Sequence, residues 1–234
     1  MTLTFEPIGG GLSVAVDERM RVQEDALLLS RFAAPTADDR ACDLGTGNGI
    51  IPLLWCRRTP PQTMTAVERE PHFCRMARAA IERHGLCDRI TLTEANWNDT
   101  AAMPPAGSMT LVTCNPPFFA FGEGRPSPDP LRDAMRHEDS PAMLSELSRA
   151  AARLLANGGR FCLCHRPARL PDVLQALNSA GLTPTRLQLV QSQDGARAHL
   201  VLLEAKRTGP LDVLPTLVTA DKGQGTEVYH RLFR

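Results

Sequence analysis

Two short runs in this 234-residue chain place reactive residue types at spacings that packing alone does not call for. The first is Asp43-Leu44-Gly45-Thr46-Gly47-Asn48-Gly49, with Glu68 standing 25 positions after Asp43. Alternate glycines let a backbone pass close to a ligand that a Cβ would block. A carboxylate at Asp43 can hold an ammonium group, and one at Glu68 can accept from both hydroxyls of a ribose. The second run is Asn115-Pro116-Pro117-Phe118. It offers the side-chain carbonyl of Asn115 and the backbone carbonyl of Pro116 as two acceptors, with an aromatic face beside them. Pro116 has no N–H and Pro117 restricts the backbone before it, so the carbonyls are aimed in advance.

Those acceptors suit an exocyclic amine on a nucleic-acid base. Its lone pair is delocalised into the ring, which makes it a poor nucleophile. Two acceptors on its hydrogens favour a more tetrahedral nitrogen and stabilise the positive charge that grows as it attacks a methyl group. Phe118 can stack on a base turned out of its helix. The acids of the first run point to the methyl donor. A phosphate would be repelled by Asp43, so S-adenosylmethionine is favoured over a dinucleotide. Asn96 is expected to reach the cofactor adenine amine and Trp97 to pack on its ring, although a core role for Trp97 is equally consistent with the sequence. Gly45, Gly47 and Asn48 complete the expected cofactor loop.

The elements that must position these residues alternate between strand and helix. Strands are predicted at Arg40–Leu44, Thr63–Glu68, Ile90–Glu94, Met109–Cys114, Arg160–Cys164, Thr185–Gln191 and Ala198–Glu204. Helices are predicted at Gly49–Arg58, at Pro71–His84 ended by Gly85, at Ser140–Leu155 opened by Ser140 and closed by Asn157-Gly158-Gly159, and at Leu170–Ala180 ended by Gly181. The fold class is α/β: a Rossmann-like, mostly parallel seven-stranded sheet with a C-terminal antiparallel hairpin. One domain is expected to occupy 1–234. Residues 1–39 precede the first core strand and are expected to cover the cofactor. Residues 118–139, rich in Gly, Pro and Arg, follow the fourth strand. Ligands in such sheets bind outside the carboxyl ends of the strands, so this segment is expected on the substrate side, with Arg125, Arg132 and Arg136 facing phosphate or base.

Composition adds limits. The net charge is zero, yet residues 1–124 carry 11 basic and 15 acidic side chains and residues 125–234 carry 15 and 11. A polyanion would therefore be drawn to one side only. The seven cysteines include no Cys-x-x-Cys pair and read as reduced, buried thiols, with no metal site. No apolar run is long enough to span a bilayer, and the N-terminus lacks the features of a secretory signal. A cytoplasmic chain without a membrane partner is expected, with a monomer favoured.

Beyond these physical readings, Asp43–Gly49 and Asn115–Phe118 resemble the motifs of class I amino-methyltransferases. Four further runs are similar to the bacterial tRNA(Val) adenine-N6-methyltransferase family: Gln23–Leu29, Asn48–Leu54, Arg136-His137-Glu138 and Arg166–Leu170. The resemblance covers roughly residues 20–230. It implies N6-methylation of adenosine 37, next to the anticodon, with tRNA as the partner. It also implies that Gln23 lies in the cofactor-covering segment and that His137 and Arg166 lie at the substrate. The family usually has Asp where this chain has Asn96, and commonly Tyr where it has Phe118. Three other readings stay open at this point: a ribosomal-RNA guanine-N2 enzyme, a protein glutamine-N5 enzyme, and a non-catalytic RNA-binding protein on the same fold. The first often carries a duplicated domain and the second a helical N-terminal domain, neither of which fits the expected layout.

Overall fold

Strand–helix alternation builds the molecule, a computed structural model that describes residues 3–57, 60–123, 127–221 and 224–227. A hairpin of β1 (Thr4–Gly9) and β2 (Leu12–Val16) comes first, then α1 (Glu24–Ala33). The sheet strands are β3 (Arg40–Leu44), β4 (Thr63–Glu68), β5 (Ile90–Glu94), β6 (Met109–Cys114), β7 (Leu155–His165), β8 (Thr183–Gln191) and β9 (Ala198–Lys206). Helices α2 (Ile50–Trp55), α3 (Pro71–Arg83), α4 (Pro130–Ala134), α5 (Met143–Leu154) and α6 (Leu170–Ser179) lie between them. The order is β8-β9-β7-β6-β3-β4-β5, parallel from β7 to β5 and antiparallel on both sides of β9. These are the seven expected strands with the expected terminal hairpin. Two short strands, Asp212–Val213 and Leu217–Val218, add to the sheet by pairing parallel with β8, which the sequence reading did not foresee.

Strand periodicity splits the core in two. In β6, Leu111 joins the layer under α1, α2 and α3, whereas Val112 and Cys114 join the layer under α5 and α6. In β7, Cys162 and Cys164 face the first layer and Phe161 and Leu163 the second. Side chains two apart share a face. Asp43, Thr113 and Asn115 are therefore expected on the α1 side, and the hydrogen bond from Thr113 Oγ1 to Asp43 Oδ1 at 2.6 Å joins neighbouring strands there.

Among the predicted boundaries, three move furthest. Helix α2 is shorter than expected: Gly49 (φ +80°) precedes it and Trp55 ends it, while Arg58, the predicted end, lies outside the described residues. Helix α5 begins at Met143, because Ser140 uses its backbone carbonyl to receive the Met143 N–H and gives no side-chain cap. The glycines at 158 and 159 do not close that helix but sit within β7. A Cβ on Gly159 would stand 3.0 Å from two carbonyl oxygens, those of Ala156 and Met109, so only glycine lets the strand pass there. No helix among the described residues is long and apolar enough to cross a membrane.

Candidate active site

A cleft of about 430 Å³ opens at the carboxyl ends of β3, β4 and β6, within the size range of small-molecule sites. Its floor is the loop after β3. Gly45, Gly47 and Gly49 all have positive φ, and a Cβ on Gly47 would come within 2.9 Å of the Met20 methyl carbon. Loop geometry is held from two sides. Asn48 donates through Nδ2 to the Ala15 carbonyl at 2.9 Å, tying the loop to β2. Glu68 Oε2 accepts from the Gly47 N–H at 2.8 Å, while Oε1 accepts from the N–H groups of Arg69 and Glu70 at 2.8 and 2.9 Å. Burial pushes the Glu68 carboxyl up, against the pull of these three N–H donors.

Asp43 is placed differently from expectation. It is 1% exposed and does not border the cleft; it sits at the end of β3, just before the glycine loop. Its Oδ2 makes no hydrogen bond of good geometry, and burial raises its pKa to about 7 against the pull of the Thr113 and Thr46 hydroxyls. A second acid, Asp25 in α1, does border the cleft, and burial followed by Glu24 pushes its pKa up. It lies in the run Gln23–Leu29, but nothing in a lone Asp two residues into a helix marks it as facing a cavity. Gln23 also lines the cleft, from the position before α1.

Trp97 forms part of the wall, and its ring is the nearest group to a Cβ placed on Gly45, at 3.4 Å. Its buried indole N–H has no partner. Asn96 is not brought to the cleft. Its Oδ1 accepts from the Asn98 N–H at 2.9 Å, a local turn that turns the side chain to its own backbone. Asn96 Oδ1 keeps its second lone pair, but the neighbours Ala95 and Trp97 line the cleft and Asn96 does not.

Asn115, Pro116 and Phe118 lie together on the opposite wall, directly after β6. Asn115 Oδ1 accepts a hydrogen bond from the Cys164 thiol at 3.0 Å. Phe118 packs against His165, centroid to centroid 5.4 Å. Nδ1 of His165 accepts from the Arg166 N–H at 2.9 Å, and burial lowers the His165 pKa to about 4. The ring is thus neutral at ordinary pH. Neither Cys164 nor His165 was singled out from sequence; their only signal is adjacency on a strand that pairs with β6.

The segment after Phe118 folds back on itself. The Phe119 N–H donates to the Arg136 carbonyl and the Glu138 N–H to the Phe119 carbonyl, each at 2.9 Å. Arg166 lies 4.1 Å and Arg136 5.5 Å from the Phe119 ring centre, with the His137 ring at 5.1 Å. Three expected substrate residues, Arg136, His137 and Arg166, therefore gather around one ring at the cleft mouth. Arg132 lines the cleft too; it is exposed, and its guanidinium donates to the Glu18 carbonyl, which makes it a tether between segments. Arg125 lies outside the described residues. Arg19 Nε reaches Asp129 Oδ2 at 2.6 Å, a second tie between the same segments.

Comparison with known proteins decides the family. Residues 23–178 match the model of the methyltransferase small domain. The chain belongs to this methyltransferase family. The methyltransferase is 30% identical to the tRNA1(Val) (adenine(37)-N6)-methyltransferase of Porphyromonas gingivalis, an alignment covering 79% of this chain and 74% of the relative. It is 30% identical to the protein of the same name from Aeromonas hydrophila, over 80% of this chain and 77% of the relative. Among solved structures, a predicted O-methyltransferase from Agrobacterium tumefaciens superposes with a TM-score of 0.68 at 22% identity, covering 89% of this chain and 95% of the other. A geranyl diphosphate methyltransferase in complex with S-adenosylmethionine gives 0.57 at 15% identity, over 78% and 84%. At such identities these structures speak for the fold alone.

S-adenosylmethionine is the methyl donor of this methyltransferase. The residues present fit it. The glycine loop leaves its backbone bare, Glu68 ends β4 on the cleft wall, and Trp97 offers an unpaired buried N–H beside an aromatic face. The orphaned Asp43 Oδ2 adds an acceptor close to the loop.

Proposed function

We propose that this methyltransferase transfers a methyl group to the exocyclic N6 of adenine in tRNA, at adenosine 37 of tRNA(Val), as the names of its relatives indicate for those proteins. The observation that carries the reading is the wall after β6, where an Asn115 side-chain oxygen and a proline carbonyl meet an aromatic ring inside the cofactor cleft. When bound, the cofactor supplies an electrophilic methyl group on a sulfonium centre. Glu68 is assigned to the ribose hydroxyls, Trp97 to the adenine ring, and Asp25, which borders the cleft, to the ammonium end, with Asp43 acting from behind the glycine loop. Met20 and Gln23, in the segment between β2 and α1, cover the cofactor.

The chain's own part in the chemistry follows from placement. Asn115 Oδ1 and the Pro116 carbonyl accept from the two amine hydrogens and so favour the lone pair that attacks. They also stabilise the positive charge that develops on nitrogen. Phe118 stacks on the turned-out base and fixes its plane. No strong base is needed, because the proton leaves for solvent once the N–C bond has made the nitrogen cationic. Segment 118–139 forms the substrate side. Arg136 and Arg166, braced on Phe119, meet backbone phosphate, since a guanidinium stacked on a ring keeps its N–H edge free.

Two measurements test the reading. Purified protein, labelled cofactor and total RNA from a strain lacking the gene should yield N6-methyladenosine by mass spectrometry of the nucleosides. N2-methylguanosine in its place overturns the adenine assignment. Replacing Arg136 and Arg166 together should weaken tRNA binding and lower its salt dependence by a slope of about 2, with cofactor affinity unchanged.

A further inference from the structure

We infer that Cys164 is a positioning residue for methyl transfer: its thiol fixes which end of the Asn115 amide faces the substrate amine. This rests on the reading of Asn115 given above and deepens it.

A primary amide has two ends of nearly the same shape and opposite character. The oxygen accepts; the NH₂ group only donates. Turned by half a rotation, Asn115 would present N–H groups to the amine hydrogens and oppose the attack it should assist. The terminal torsion of Asn is broad and roughly two-fold, so the side chain does not choose by itself. Strand pairing supplies the choice. Cys114 pairs with Leu163 in the parallel β6–β7 ladder, which sets Asn115 beside Cys164 at the carboxyl end of both strands. Cys164 is fully buried, and its Sγ stands 3.0 Å from Asn115 Oδ1. Among the described residues this thiol is the hydrogen-bond donor given for that oxygen. An oxygen has two lone pairs, so one remains for the substrate.

The thiol can do this only as S–H. A thiolate would repel Oδ1 and turn the amide around. Burial, with Asp25, Cys114 and Asp43 nearby, pushes the Cys164 thiol well above its ordinary range and keeps the proton on sulfur. The next residue, His165, packs on Phe118. Consecutive residues of β7 therefore brace the two working parts of Asn115–Phe118 from behind.

Single-turnover methyl transfer to tRNA tests the role, with Cys164→Ala removing the donor and Cys164→Ser keeping one. Cys164→Ala should slow transfer about three- to tenfold, leaving cofactor and tRNA affinity unchanged, and Cys164→Ser should restore most of the rate. In an Asn115→Ala background, Cys164→Ala should cost nothing more, because no amide is left to orient. A wild-type rate for Cys164→Ala overturns the inference. So does an equal loss in the Asn115→Ala background, which would mark a packing effect. The S–H stretching band of Cys164, identified by its loss in Cys164→Ser, should shift in Asn115→Ala protein. A band that stays in place overturns the hydrogen bond whatever the substrate proves to be. If wild type methylates no RNA while that band does shift, the reading of Asn115 as amine acceptor falls and the geometric half of the inference stands.

Discussion

The floor and the cover of the cleft are built on different principles. The floor consists of strand ends whose polar groups are buried and bonded inward: Glu68 holds three backbone N–H groups, Asn48 grips β2, and Asp43 is bonded to Thr113. The cover is two segments joined through exposed or half-exposed contacts, Arg19 to Asp129 and Arg132 to the Glu18 carbonyl, and tied to the floor by Arg69 to Asp139. Removing a partner from a buried bond leaves the other unsatisfied, which costs about 1–3 kcal/mol or more. Surface ion pairs are worth about 0–1 kcal/mol. The floor is therefore pre-organised for a cofactor, and the cover is held by ties a large substrate can replace.

That contrast can be broken by substitution. The largest effect is expected at Asn115. Asn115→Ala should keep the fold and cofactor affinity and lose about a hundredfold or more in single-turnover methyl transfer, on the order of 3 kcal/mol. An unchanged transfer rate would falsify the acceptor mechanism. Glu68→Ala comes next. It should weaken cofactor binding by about 1.5–3 kcal/mol in calorimetry, since it removes a ligand group and also strands the Gly47 N–H. Equal affinity in wild type and variant would take Glu68 out of the site.

Asp43 offers a pH-dependent comparison. Its folded pKa of about 7 lies above the ordinary carboxylate value of about 3.9, so the folded state holds a proton that the unfolded chain has released. Stability from this group is greatest below about pH 4 and is lost as pH rises to about 7. Ligand-free Asp43→Asn protein should match wild type in melting temperature at low pH and exceed it near pH 8. Parallel curves across that window would show that Asp43 stays ionised. The smallest effect belongs to the cover. Arg19→Ala should change stability by less than about 1 kcal/mol and leave methyl transfer unaffected, with a modestly faster cofactor release in stopped flow. A loss as large as that of Glu68→Ala would place Arg19 with the floor.

The same contrast explains what the sequence showed. The core strands were legible because most carry an apolar run closed within a few residues by Gly, Pro or Asn; their order across the sheet was not read from sequence. The floor was legible because its glycines and acids serve a strand-to-helix turn that sequence alone can place. Other features depended on neighbours remote in sequence. Arg132 reads as a free cation until a carbonyl 114 positions away meets it. Asn96 reads as a cleft residue, but in the fold its neighbours Ala95 and Trp97 line the cleft and it does not. Hairpin Thr4–Val16 did leave a sign, glycines between two runs with strand-forming residues, but its place depended on packing against α3. The glycine pair at 158 and 159 looks the same in a helix terminus and in a strand that must pass close to a carbonyl.

If Asn115 acts as proposed, the wall after β6 also bears on which bases the enzyme can accept. Pro116 and Pro117 carry no N–H, and the buried Cys164 thiol donates to the Asn115 oxygen. The face offered to the reacting edge of the base is thus made of acceptors. Deamination replaces the amine of adenine with a carbonyl oxygen and puts a proton on the neighbouring N1, so hypoxanthine would set an oxygen lone pair where the acceptors expect two N–H hydrogens. A site that rewards a matching donor rejects such a swap far more strongly than a change of shape. On the proposed reading of Asn115, the acceptors that assist the amine would thus also select for it, because a base without amine hydrogens leaves them unpaired.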